Sequence, residues 1–221
     1  MKWDKNIMRH LLTFAILGAM AVTPFAVTAP TPASAQSSNS NDLDRVSRHL
    51  RGISTLKAQF VQTDRNRQEL SGSLILKQPG KIRFQYQKDV PLLIVADGRA
   101  LTMIDYEVRQ VQRWPIKNSP LGALLDPNRD VKRYGKLVPT GNPNVISVEV
   151  KDPKRPEYGT ITMVFRRNAS APAGLEMAGW VALDSKNNRT TISLKGHSYN
   201  QPVADSAFKW KDPRRNRRPG R

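Results

Sequence analysis

With 221 residues, no cysteine and a formal charge of +18 from 36 basic against 18 acidic side chains, the chain has no disulfide, thiolate metal site or thiol nucleophile. Its length suits one domain that needs no covalent staple, and its charge favours anionic partners such as membrane surfaces or acidic proteins.

The chain opens with the three parts of a secretory signal. Lys2, Lys5 and Arg9 form the basic start, LLTFAILGAMAV the apolar run, and Ala33-Ser34-Ala35 before Gln36 a small-residue cleavage site. About a dozen apolar residues fall short of the ~20 that span a bilayer, so residues 1–35 are expected to be a cleaved signal peptide rather than an anchor. Removing Lys2, Lys5, Arg9 and Asp4 leaves 33 basic against 17 acidic residues, a charge of +16. An exported product rarely meets nucleic acid, so that partner is not expected.

After a polar lead, Asn41 or Asp42 is placed to cap a helix whose apolar residues Leu43, Val46, Leu50 and Ile53 recur three and four apart. His49, among Arg45, Arg48 and Arg51, reads as a surface residue. From Leu56 the period falls to two. LKAQFVQ, LSGSLILK, KIRFQYQ, LLIVAD, LTMIDY and EVRQVQRW read as consecutive antiparallel strands, with turns at Pro79-Gly80 and Asp97-Gly98. In the second and third strands Leu74, Leu76, Ile82, Phe84 and Tyr86 share one face. Met103, Met163 and Met177 fall at strand positions, where they suit either a core or a surface that accepts variable chains.

The rhythm breaks at PIKNSPLGALLDPNRD. Asn118 or Ser119 can cap a short helix there, with Pro120 in its first turn and Leu121, Leu124 and Leu125 on its apolar side, ending at Asp126-Pro127. Strands resume with KRYGKLV, VISVEV, TITMVFR, LEMAGWVALD and RTTISLKG, and AFKWKDP follows. A mainly β chain of about eleven antiparallel strands must curl, so the fold expected is an incomplete antiparallel barrel with its helices against the apolar concave face. Residues 36–208 form that single domain. The last 13 residues, 209–221, carry a charge of +6 and read as a flexible basic tail.

Catalytic constellations are lacking. His49 and His197 lie in no nucleophile-elbow pattern, and no phosphate-binding glycine loop occurs, so neither an enzyme nor a bound cofactor or metal is expected.

Several stretches, in order, resemble the outer-membrane lipoprotein carrier family, LolA. LKAQFVQ is similar to its first strand, with Phe60 and then Gln62. GSLILKQPGKIRF, LLIVADGRALTMIDY and NSPLGALL are similar to its proline turn, its Asp-Gly hairpin and its lid helix. The resemblance implies a soluble periplasmic monomer with a helical lid over an apolar cavity. It would accept acylated lipoproteins from an ATP-driven transporter in the inner membrane and pass them to an outer-membrane acceptor. It also implies that Leu74, Leu76, Ile82, Phe84, Ile94 and Leu124 contact the acyl chains; alternation and helical spacing add Phe60, Leu92, Met103 and Leu121. Where many relatives have a lid-holding arginine before the turn proline, this chain has Gln78. The alternative is a periplasmic sensor of lipids or lipoproteins built on the same half-barrel.

Overall fold

The computed structural model describes residues 34–116, 121–125, 131–154 and 156–214. Most of the expected signal peptide, the proposed caps Asn118 and Ser119 with Pro120, the stop at Asp126-Pro127, and Arg215 to Arg221 lie outside the described residues.

Among the described residues, eleven antiparallel strands form one sheet. They are β1 (Thr55–Thr63), β2 (Glu69–Lys77), β3 (Lys81–Tyr86), β4 (Leu92–Asp97), β5 (Ala100–Asp105), β6 (Gln110–Pro115), β7 (Gly135–Val138), β8 (Val145–Lys151), β9 (Thr160–Arg167), β10 (Leu175–Leu183) and β11 (Arg189–Tyr199). Their order in space is β6-β5-β4-β3-β2-β1-β11-β10-β9-β8-β7, so the first and last strands of the chain pair in the middle. Among the described residues β6 and β7 are the two edges and do not pair with each other. This is the unclosed antiparallel barrel that the alternation predicts. The turns follow from their residues: Gly80 and Gly98 take φ of +74° and +96°, and Asp97 accepts the backbone N–H groups of Arg99 and Ala100 at 2.8 and 2.9 Å.

The inner face is one continuous apolar core. Phe60, Leu74, Leu76, Ile82 and Phe84 from β1 to β3 meet Val148, Ile161, Met163, Phe165 and Leu194 from β8 to β11. The long helix α1 (Ser34–Gly52) contributes Val46 and Leu50, and Ile53 follows it. Single helical turns, α2 (Gly122–Leu125) and α3 (Val131–Tyr134), add Leu124, Leu125 and Val131. The stretch KRYGKLV is therefore not all strand, because its first residues close α3 before β7 begins. No described helix is long and apolar enough to cross a membrane.

Helix α1 departs from the sequence reading in two ways. It already includes Ser34, so neither Asn41 nor Asp42 caps it; instead the Asp42 carboxylate takes both contacts of Arg167 Nη2 at 3.0 and 3.1 Å, which fastens the helix to β9. His49 is not on the surface but fully buried. Its Nδ1 lies 2.8 Å from the Pro172 carbonyl, and its ring meets Phe165 and Tyr199 edge-on at 5.4 and 5.9 Å. The reason is tertiary: the 3₁₀ turn Pro172–Gly174 and the end of β11 close over a helix side that one apolar stripe does not mark.

A second apolar cluster lies on the outer face. Leu93, Val95 and Ile104 are buried there under Phe208, with Val203, Ala207 and Trp210 beside it. This explains the unbroken run LLIVA in β4, because a strand covered on both faces has no reason to alternate. The covering segment contains a 3₁₀ turn, Asp205–Phe208. It is tied down by Lys77 Nζ to the Val203 carbonyl at 2.8 Å and by Arg83 Nη1 to the carbonyls of Ala207 and Lys209 at 3.2 and 3.0 Å. The boundary expected at residue 209 thus falls inside a docked strap: Lys209 and Trp210 sit on the sheet.

Candidate functional site

A cavity of about 430 Å³ opens on the inner side of the barrel. Its apolar walls are Phe84 of β3, Ile94 of β4, Leu101 of β5, Trp114 of β6, Leu121 just before α2, and Trp180 of β10. Gln62 of β1 and Thr190 of β11 form a polar end beside the β10–β11 turn, where Asp184, Ser185 and Asn188 make the rim. Asp184 accepts the Asn188 side-chain amide at 2.7 Å and the backbone N–H groups of Asn188 and Lys186 at 2.8 Å. These bonds, the Asn188 side chain first, hold its carboxyl below the usual range, so negative charge stays at the rim.

Of the residues singled out from sequence, Phe84, Ile94 and Leu121 border this cavity. Phe60, Leu74, Leu76, Ile82 and Leu124 face the same interior but are buried within its packed core. Leu92 packs against that core half-buried, and Met103, paired with Ile94 in the β4–β5 ladder, is also half-buried and does not border the cavity. Phe60 supports the wall: it meets Phe84 and Tyr86 edge-on at 5.2 Å each, and Phe84 meets Trp180 at 6.1 Å.

Trp180 was missed because alternation from Leu175 and Met177 points Gly179 inward and Trp180 outward. A bulge between Met177 and Gly179 reverses that parity. Gly179 makes it possible, with φ of +149° and so close to the Ile192 carbonyl that a Cβ would lie 1.9 Å from the oxygen. The glycine inside an apolar run was the available signal.

One side of the cavity depends on how α2 is held. Gln78 Nε2 donates to the Leu124 carbonyl at 3.1 Å, and the Gly80 N–H donates to the Leu125 carbonyl at 2.8 Å. Both donors belong to the β2–β3 turn, which packs on the β4–β5 turn so closely that a Cβ on Gly80 would lie 2.8 Å from Gly98 Cα. Arg83, on the opposite face of β3, serves the strap instead. Among the described residues no group of histidines and carboxylates could hold a metal ion.

The family model described as "Outer membrane lipoprotein carrier protein LolA" matches residues 51–211, from the end of α1 through the strap. The chain belongs to this lipoprotein carrier family. Relatives named "Outer-membrane lipoprotein carrier protein" align along nearly the whole length. That of Chromobacterium violaceum is 30% identical over 210 residues, 91% of this chain and 94% of the relative. That of Xanthomonas campestris pv. campestris is 29% identical over 213 residues, 92% and 94% of the two chains. That of Neisseria meningitidis serogroup B is 29% identical over 188 residues, 82% and 87%. The match places both the cavity walls and the Gln78 turn within the family's shared region.

Proposed function

We propose that this lipoprotein carrier family member is a non-enzymatic periplasmic chaperone whose cavity takes the acyl chains of lipoproteins in transit from the inner to the outer membrane. The observation that carries this reading is the cavity itself, about 430 Å³ with aromatic and aliphatic walls. An acyl chain in water costs about 0.8 kcal/mol per exposed CH₂, so a dozen methylenes cost roughly 10 kcal/mol, and burial against such walls offsets that. Apolar contact is non-directional, which suits a cargo that must also leave.

Access would be governed by α2. Opening it breaks the bonds from Gln78 and Gly80 to the helix carbonyls, each worth about 1 kcal/mol net, so modest differential binding by a partner suffices to shift the equilibrium. The energy for extraction comes from outside the chain. In this reading an ATP-driven transporter in the inner membrane loads a monomeric carrier, and an acceptor at the outer membrane unloads it.

The test is release. Mature protein incubated with Gram-negative spheroplasts is expected to bring a triacylated lipoprotein into the soluble fraction as a one-to-one complex, and Ile94→Glu to abolish this while remaining folded. Folded wild-type protein that releases nothing would overturn the proposal.

A further inference from the structure

On the inner wall a buried tyrosine hydroxyl fixes a side-chain amide that borders the cavity. Tyr86 donates its hydroxyl to Gln62 Oε1 at 2.7 Å. The contact spans β2, from β3 to β1, and works because the residue between them is glycine. Gly72 pairs with Phe60 on one side and Tyr86 on the other. Any side chain there is excluded, since a Cβ would fall 2.1 Å from the Gln85 carbonyl. The Tyr86 ring packs edge-on against Phe60 at 5.2 Å and is buried. Burial pushes its phenol well above the ordinary range, so it remains a donor at every physiological pH.

That bond fixes the Gln62 amide by its oxygen. The Nε2 group, with two N–H donors, has no partner among the described residues, and Gln62 borders the cavity between the apolar wall and the polar rim. Its neighbours in the ladder, Leu70 and Ile192, offer no acceptor side chain. Water can serve these donors while the cavity is empty. Once an acyl chain displaces the water, they need an acceptor from the ligand or remain unpaired at a cost.

Resting on the carrier reading, we infer that Gln62 recognises the carbonyl linking an acyl chain to its head, as ester or amide, and that Tyr86 is the positioning residue that aims it. The head then lies toward Thr190 and the β10–β11 turn, and the chain runs toward Ile94, Leu101 and Trp114 on the opposite wall. Lipids with an acyl carbonyl are thereby favoured over equally greasy molecules lacking one.

The probes are 1-hexadecanoyl glycerol and its ether analogue 1-O-hexadecyl glycerol, which match in head and chain length and differ in the carbonyl. Wild type is expected to bind the ester about tenfold more tightly, the worth of one good hydrogen bond. Gln62→Leu is expected to bind both alike, and Tyr86→Phe to retain about two- to threefold preference because the amide is no longer aimed. An isotope-edited infrared band of the ester carbonyl should be lowered in the wild-type complex and return toward its unbonded position in Gln62→Leu. Because both lipids are measured on each variant, a general loss of packing cancels from the ratio. Equal affinities in wild type, or a preference unchanged by Gln62→Leu, would overturn the inference and leave the carrier reading standing. Failure of wild type to bind either lipid would overturn both.

Discussion

Replacing Phe208 by alanine tests whether the C-terminal strap belongs to the folded core. The ring is 6% exposed and covers Leu93, Val95 and Ile104, with the Lys81 ammonium 6.0 Å from its centroid. Burying about 200 Å² of aromatic surface at about 25 cal/mol per Å² gives roughly 5 kcal/mol as an upper bound. The strap is a surface segment that can settle into the space left, so the lower end of the range for Phe→Ala changes applies, about 3 kcal/mol. For a domain of this size that lowers Tm by about 6–12 °C. Thermal unfolding followed by circular dichroism, with Trp210 fluorescence as a local probe, measures it; Lys211→Ala is the control and should shift stability by less than about 0.5 kcal/mol. A fall below about 2 °C for Phe208→Ala would refute the reasoning, showing that the outer cluster contributes nothing and that the strap is no more part of the core than the solvated tail read from composition at residues 209–221.

Three other outcomes separate wall from core and hinge from scaffold. Ile94→Glu should fold and lose acyl-chain binding, whereas Ile82→Glu, which puts an unpaired charge at a fully buried position, should fail to fold; circular dichroism and ligand titration distinguish them, and a folded Ile82→Glu protein would count against the core assignment. Gln78→Ala removes the bond to the Leu124 carbonyl and should speed hydrogen exchange of the Gly80 amide about fivefold, while Gln78→Arg, with charge-assisted bonds, should slow cargo release; unchanged rates in both would mean the turn does not hold α2. Burial holds the pKa of His49 below 6.5, opposed by the Pro172 carbonyl. The folded protein then keeps the ring neutral where the unfolded chain protonates it, so stability is full above about pH 6.5 and falls as the pH drops toward the folded value. Denaturation midpoints between pH 7.5 and 5 should decline less in His49→Gln than in wild type, and parallel profiles would contradict this.

Strand alternation made the inner face legible from sequence. Leu74, Leu76, Ile82 and Phe84 needed only their spacing and the Pro79-Gly80 turn between them, because both signals are local. The cavity was less legible. Phe84 and Ile94 follow from period two, but Trp180 depends on a bulge that inverts parity, and Gln62 becomes a presented donor only because Tyr86 reaches it across Gly72.

The amino-acid sequence by itself determined the successive strands, the turns between neighbouring strands and the apolar character of the inner face, since each rests on residues close together in the chain. Only the tertiary structure decided what covers each face. His49 is buried by Pro172 and Phe165, more than a hundred residues away; Leu93 and Val95 are buried by Phe208; and Leu124 is held by Gln78. Periodicity states which side chains avoid water together. Which distant segment excludes the water, and where a gap remains between them, depends on contacts that local pattern does not encode.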